Sequence, residues 1–268
     1  MTLRSVIGRH YATPCTFIIG NDINADIDAF AHLDKKRRTE IQLLMGHMSF
    51  GLHEYFEGNV KYVTMLRDPV ERVLSEYRFL KTNIRHPFHS TVAPMSLPQY
   101  LDSDFTGQSS NGQTRLLCGS HVAGKVGIAG REPLDQSSVE RALENIDKHF
   151  VIAGIQEQFE ESLLLLSGRL GWRIWPFYLT RNMSNHKSEA KAMSQPDDAV
   201  RSMIEERNTL DISLYRSVVE RLGRDIAAAE PHLRRSVVRF VRLNGMYQQL
   251  ESRRLQYRQR IRNLKVRD

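Results

Sequence analysis

Residues 61–81, KYVTMLRDPVERVLSEYRFLK, decide the fold of this chain. Residues 60–66 are rich in apolar and β-branched side chains, which predicts a buried strand. Asp68 is a favourable N-cap and Pro69 suits the first position of a helix. The apolar residues that follow recur at helical spacing: Val70, Val73, Leu74, Tyr77 and Leu80. A strand, a tight turn and an amphipathic helix in direct succession predict an α/β fold.

The rest of the chain continues this alternation of strands and helices. Further strands are predicted at residues 40–45, 150–155 and 172–179. Helices are predicted at residues 1–11, 138–149, 159–170 and 197–222, and a polar surface loop at residues 83–113. Such alternation favours a three-layer architecture with a central parallel sheet between helices.

Composition places the chain among ordinary globular proteins. Of its 268 residues, 41% are hydrophobic and 26% are charged, which excludes a largely disordered or collagen-like chain. No apolar run approaches the length of a membrane span and no signal segment opens the chain, so we expect a cytoplasmic protein. The only cysteines, Cys15 and Cys118, lack metal-ligand spacing, so no metal is predicted.

The net charge of +7 is unevenly distributed. Residues 233–268 carry eleven Lys or Arg and two Asp or Glu, a balance of +9. Residues 1–232 carry 27 Lys or Arg and 29 Asp or Glu, a balance of −2. The body is therefore nearly neutral, and no nucleic-acid partner is predicted. We divide the chain into a domain at residues 1–232 and a basic amphipathic helical tail at residues 233–268.

The tail has its own apolar pattern. Seven apolar residues and one arginine are spaced alternately by three and four: Phe240, Leu243, Tyr247, Leu250, Arg254, Tyr257, Ile261 and Leu264. Three interpretations remain open. The helix packs on its own domain, it forms a homodimer with a second copy, or it contacts an anionic surface such as lipid or a polyanion.

The corner between strand and helix is a candidate anion site. A helix N-terminus offers unpaired N–H groups and the positive end of the helix dipole. Arg67 adds a fork of donors that suits phosphate, and Ser75 adds a hydroxyl from the same helix. The same residues equally suit a structural ion pair and a helix cap, so physical chemistry alone leaves both interpretations open.

A resemblance to a known family favours the anion site. Residues 67–77, RDPVERVLSEY, resemble the 3′-phosphate-binding motif of sulfotransferases that use 3′-phosphoadenosine-5′-phosphosulfate (PAPS) as donor. The motif is most similar to that of the heparan sulfate and uronyl 2-O-sulfotransferases and their bacterial relatives. This resemblance implies a P-loop-NTPase-like sulfotransferase fold and a carbohydrate or glycoconjugate acceptor. It assigns Arg67 and Ser75 to the 3′-phosphate of PAPS.

Residues 46–51, GHMSFG, resemble the Gly-His segment that supplies the family's catalytic base. The resemblance assigns this role to His47, and His53 is the second choice. Histidine suits proton removal from a hydroxyl because its ordinary pKa lies near neutrality. A buried or helix-capping histidine is the structural alternative.

Two further segments supply weaker candidates. Residues 111–119, NGQTRLLCG, resemble the family's Asn-x-x-Thr-Arg-x-x-x-Gly segment, which makes Arg115 a candidate acceptor-binding residue or a surface ion-pair partner. Residues 181–187, RNMSNHK, lie where related enzymes close a loop over the donor, which makes Arg181 and Ser184 candidate donor-binding residues. A solvated polar loop is the alternative there.

The sequence departs from the family at its start. The family binds the 5′-phosphosulfate with a strand and a Lys-Thr-Gly-Gly-Thr-like turn, and residues 1–4 resemble only the end of that loop. Either the natural start lies upstream, or the protein is an inactive relative that binds a nucleotide or polyanion. A nucleotide kinase is less favoured because no GxxxxGK[ST] motif occurs.

Overall fold

The computed structural model describes residues 2–20, 22–103, 106–119, 132–180 and 197–264. The strands in these ranges are β1 (Thr16–Ile18), β2 (Leu43–Met45), β3 (Tyr62–Leu66) and β4 (Phe150–Ile155). The helices of the first half are α1 (Thr2–Ile7), α2 (Ile23–Ala31), α3 (Lys35–Glu40), α4 (Pro69–Thr82), α5 (His89–Val92), α6 (Leu97–Ser103) and α7 (Gly112–Cys118). Those of the second half are α8 (Gln136–His149), α9 (Phe159–Arg169), α10 (Asp198–Arg207), α11 (Thr209–Ala229) and α12 (His232–Leu264).

The four strands form two parallel pairs. β1 pairs with β2, with Thr16 opposite Leu43, and β3 pairs with β4, with Thr64 opposite Ala153. Both pairs are joined through helices, as parallel pairing requires. Parallel pairing and the mixed α/β class are therefore confirmed. No ladder joins the two pairs within the described ranges, so a single central P-loop-like sheet stays a prediction.

Helix α4 begins where the sequence predicted. The Asp68 carboxylate accepts the Glu71 N–H at 3.0 Å, and Pro69 is the first helical residue. The apolar face of α4 packs against α5, α6 and α10 in a cluster of buried residues that includes Leu74, Tyr100 and Ile204. A separate cluster packs α8, α9 and α11 against β3 and β4. The end of β3 and the start of α4 therefore rest on two apolar clusters.

The prediction of a strand at residues 172–179 is wrong. These residues have no regular secondary structure, and several of them contact α12 instead of a sheet. The rings of Trp175 and Phe177 stack on Phe240 at centroid distances of 5.8 and 5.9 Å. The Tyr178 N–H donates to Asn244 Oδ1 at 2.8 Å, where a strand would use a backbone carbonyl.

Other boundaries also differ from the predictions. The loop expected at residues 83–113 contains α5 and α6. Their few apolar residues are buried, but polar residues flank them in the sequence and hide the helical pattern. The strand expected at residues 40–45 covers only Leu43–Met45, because α3, capped by Asp34, extends to Glu40. Strand β1 was not predicted, since its three residues are too few to show a period.

The tail is one long helix with two different environments. Leu233 and Phe240 are buried, and Phe240 joins a cluster with Val6, Phe159 and Leu163. Further along, Leu250 and Tyr257 are exposed. None of the helices in the described ranges is long and apolar enough to cross a membrane. The first half of α12 thus packs on the domain, while the second half extends from it.

Candidate functional site

The corner between β3 and α4 is held by side chains from distant segments. Gln113 donates from Nε2 to the Arg67 carbonyl and accepts the Arg67 N–H at Oε1, both at 3.0 Å. The Asp68 N–H donates to Glu157 Oε1 at 3.1 Å, and the Tyr215 hydroxyl donates to Glu157 Oε2 at 3.0 Å. Burial of the ring, followed by the hydrogen bond to Glu157 and its charge, raises the pKa of Tyr215. The backbone that carries Arg67 is therefore fixed from two sides.

The Arg67 side chain lies along one face of α4. Its guanidinium is 3.3 Å from Glu71 Oε2, and both side chains are 35% exposed. Ser75 is four residues beyond Glu71 and lies on the same helical face. The structure therefore directs Arg67 towards the face that carries Ser75, with Glu71 between them.

The N-terminus of α4 differs from the expected open anion site. Pro69 has no N–H group, the Glu71 N–H donates to the Asp68 carboxylate, and the Arg72 N–H donates to the Asp68 carbonyl. The cap thus uses donors that an anion would need. The helix end therefore offers an anion fewer free N–H groups than the sequence predicted.

Helices α7 and α11 cap each other. Asp211, fully buried on α11, accepts the N–H groups of Gln113 at 3.0 Å and Thr114 at 2.7 Å. In return, Asn111 Oδ1 accepts the N–H groups of Leu210 at 3.0 Å and Asp211 at 3.1 Å. This arrangement requires the left-handed backbone of Asn111, at φ 51°, which asparagine adopts more readily than most residues. The predicted Asn-x-x-Thr-Arg segment therefore begins with a structural clamp.

Arg72 ties this clamp to α4. Its guanidinium lies 3.2 Å from Glu76 and 3.9 Å from Asp211, and it also donates to the Gln108 carbonyl. A Cβ at Gly112 would lie 3.3 Å from the Arg72 guanidinium carbon, so glycine permits this close approach. Movement of α7 would therefore disturb both the Gln113 contact with Arg67 and the α4 ion pairs.

His47 follows the carboxyl end of β2. A Cβ on the preceding Gly46 would lie 2.5 Å from the carbonyl oxygen of Ile19, so only glycine fits beside β1. His47 is exposed, but neighbouring protein atoms partly desolvate its ring and lower its pKa below 6.5. The Arg4 charge lowers this pKa further, whereas Glu76 opposes the shift. Glu76 is part of α4, so this opposing charge acts on His47 from that helix.

His53 lies elsewhere, near the amino end of β3. Its backbone N–H donates to the Tyr62 hydroxyl at 2.8 Å, and its ring lies 4.5 Å from that of His149. Burial and the His149 charge lower the pKa of His53. Tyr62 and Leu66 are the two ends of β3, about 13 Å apart. The structure therefore does not bring His53 together with Arg67.

Arg115 lines a separate cleft of about 480 Å³ between α7, α8 and the segment after β2. The cleft also contains Phe50, Glu54 and Arg141, and Arg115 donates to the Glu132 carbonyl at 2.9 Å. Gln113 contacts Arg67 from the first turn of α7, whereas Cys118 at the last turn borders the cleft. This cleft thus lies at the end of α7 that is remote from Arg67.

The remaining candidates are Arg181 and Ser184, which lie outside the described residues. Within the described ranges, no group of three or more His, Cys, Asp or Glu side chains is arranged to hold a metal ion.

Sequence reasoning missed the residues that support the corner, namely Gln113, Glu157 and Asp211. Gln113 is 46 positions from Arg67, and no periodicity or motif relates the two. The only available signal was that Gln113 stands inside the segment that resembles the family's Asn-x-x-Thr-Arg pattern.

Comparison with known proteins assigns the family. No curated protein matches the chain. The sequence does match the galactose-3-O-sulfotransferase family over residues 27–267, which includes almost all of the basic tail. This match supports a carbohydrate sulfotransferase, as the motifs indicated, but it does not support the more specific resemblance to the 2-O type. Because the match covers most of the chain, the protein belongs to the galactose-3-O-sulfotransferase family, whose members sulfate carbohydrate.

Proposed function

We propose that the protein transfers the sulfuryl group of PAPS to the 3-hydroxyl of a galactose residue in a glycan. The family supports the reaction and supplies the acceptor. The position of Arg67 is the main support for the proposed donor site. Gln113 holds its backbone, and its guanidinium lies along the Ser75 face of α4.

Arg67 and Ser75 bind the 3′-phosphate of the donor in this proposal. The guanidinium fork matches two phosphate oxygens, and the Ser75 hydroxyl donates to a third. Glu71 competes for the same guanidinium at 3.3 Å, so phosphate binding displaces part of that ion pair. The pair costs little to open, because exposed pairs at this helical spacing contribute only about 0.3–0.5 kcal/mol.

His47 is the base that removes the proton from the acceptor hydroxyl. Its lowered pKa keeps the ring neutral at pH 7, which is the form that accepts a proton. The hydroxyl oxygen forms a bond to sulfur as the bond from sulfur to the 5′-phosphate oxygen breaks. The products are a sulfate ester and 3′-phosphoadenosine-5′-phosphate, and positive groups offset the charge that develops on the leaving phosphate.

Sulfate transfer from labelled PAPS tests the reaction and its acceptor. The panel contains a β-galactoside, its 3-deoxy analogue, the matching glucoside and an unsulfated heparan fragment. We expect label in the β-galactoside and none in the 3-deoxy compound. Label only in heparan would instead favour the 2-O type, and binding of donor without transfer to any acceptor would favour a non-catalytic protein.

Isothermal titration with 3′-phosphoadenosine-5′-phosphate tests the donor site. We expect Arg67→Ala to weaken binding by on the order of tenfold to a hundredfold, because it removes a charged hydrogen-bonding partner. Arg201→Ala is the matched control, since Arg201 forms an exposed pair with Glu205 at the same helical spacing, at 3.1 Å. Equal affinities for the two variants would exclude Arg67 from the site.

Replacement of each histidine tests the assignment of the base. We expect His47→Ala to abolish sulfation while donor affinity stays largely intact. His53→Ala should retain turnover, because His53 lies at the other end of β3 from Arg67. Near-normal turnover in His47→Ala would rule out His47, and loss confined to His53→Ala would transfer the role to His53.

A further inference from the structure

The second half of α12 carries an exposed apolar stripe. Met246, Leu250 and Tyr257 are 55%, 63% and 67% exposed. At about 100° per residue, the three side chains lie within an arc of about 40° around the helix. Large apolar side chains that share one solvent-facing side indicate a surface that another molecule covers.

This stripe is distinct from the face of α12 that packs on the domain. Leu233, Phe240 and Asn244 are buried, and their mean direction is about 120° from the stripe around the helix axis. The helix therefore retains its packing on the domain while the stripe contacts a partner. Val238, Val241 and Leu255 are exposed as well, but they lie outside the arc of the stripe.

Arginines border the stripe on both sides. Arg242 and Arg253 lie within about 40° of one edge, and Arg254 lies about 40° beyond the other edge. All three side chains are exposed, although Arg254 shares its charge with Glu251 at 3.3 Å. Together with the balance of +9 over residues 233–268, this pattern selects a negatively charged partner.

We infer that the stripe and its arginines bind an anionic membrane, with α12 lying in the plane of the interface. A second copy would bring two segments of +9 together, which repel each other. A polyanionic glycan would neutralise the arginines but leave the apolar side chains in water. A bilayer with anionic lipid both buries the apolar side chains and neutralises the arginines. The stripe enters the acyl boundary, and the arginines contact the headgroups.

Flotation with lipid vesicles tests this inference on the full chain. We expect the protein to float with vesicles of phosphatidylcholine and phosphatidylserine but not with phosphatidylcholine alone, and binding should weaken as salt is added. Leu250→Ser with Tyr257→Ser should lower the partition by roughly tenfold or more for each side chain. Arg253→Gln with Arg254→Gln should lower it by about fivefold for each charge.

Val238→Ser with Val241→Ser is the matched control, because these valines are as exposed as the stripe but lie outside it. We expect it to float like the wild type. The inference is overturned if the stripe variant, Leu250→Ser with Tyr257→Ser, floats as well as the wild type, or if the wild type does not float with anionic vesicles. Retention on heparin without vesicle binding would assign the tail to a polyanion. A dimer in sedimentation that the stripe variant dissociates would assign it to a second copy.

Discussion

The buried Asp211 carboxylate provides a sharp test of how the candidate site is held together. It accepts two N–H groups from the first turn of α7, at 2.7 and 3.0 Å, and lies 3.9 Å from Arg72. Asp211→Asn keeps the size of the side chain. It removes the charge and turns an N–H donor towards one of the two N–H groups of α7.

The expected loss follows from these contacts. A hydrogen bond to a charged group contributes about 1.5–3 kcal/mol, and the substitution removes one and weakens the other. We therefore expect the free energy of unfolding to fall by about 2–4 kcal/mol. For a chain of this size, each kcal/mol lowers the midpoint of thermal unfolding by roughly 2–4 °C.

Urea denaturation followed by circular dichroism measures this loss. Asp225→Asn is the matched control on the same helix, because Asp225 pairs with Arg169 at 2.8 Å but is 38% exposed. The control should lose at most about 1 kcal/mol, as surface pairs do. A free energy of unfolding for Asp211→Asn equal to that of the control would refute the proposed clamp between α7 and α11.

Three further predictions concern single positions. Gly46→Ala should destabilise the fold by about 1–3 kcal/mol, because its Cβ would meet the Ile19 backbone at 2.5 Å; thermal unfolding should show no such loss for Gly168→Ala, where nothing lies within 4 Å. Phe240→Ala should lower the free energy of urea unfolding by about 3–5 kcal/mol, since the ring is fully buried, and a loss under 1 kcal/mol would contradict the packing of α12. The kcat/KM for sulfation should fall on acidification with a midpoint below pH 6.5, because the pKa of the base His47 is lowered and catalysis needs the neutral ring; Arg4→Gln should raise that midpoint, and a wild-type midpoint above 6.5 would contradict the assignment.

The features that the sequence predicted correctly depend on neighbouring residues. Asp68 caps α4 through a residue three positions away, and the α4 face repeats with the helical period. The strand at residues 150–155 is apolar along its whole length, as a buried parallel strand must be. The prediction of a strand at residues 172–179 was wrong. Aromatic composition alone does not show whether a segment packs in a sheet or against the side of a helix, as Trp175 and Phe177 do.

By itself, the sequence determined the corner between β3 and α4, its capping and the family resemblance of residues 67–77, since these depend on short-range chemistry. Only the tertiary structure decided what holds Arg67 in place, because Gln113 and Glu157 are 46 and 89 positions from the backbone groups that they contact. It also directed Arg67 along the Ser75 face and separated His53 from that face. The physical reason is that a buried polar group takes whichever partner the folded chain brings within hydrogen-bonding distance, and no local pattern records that choice.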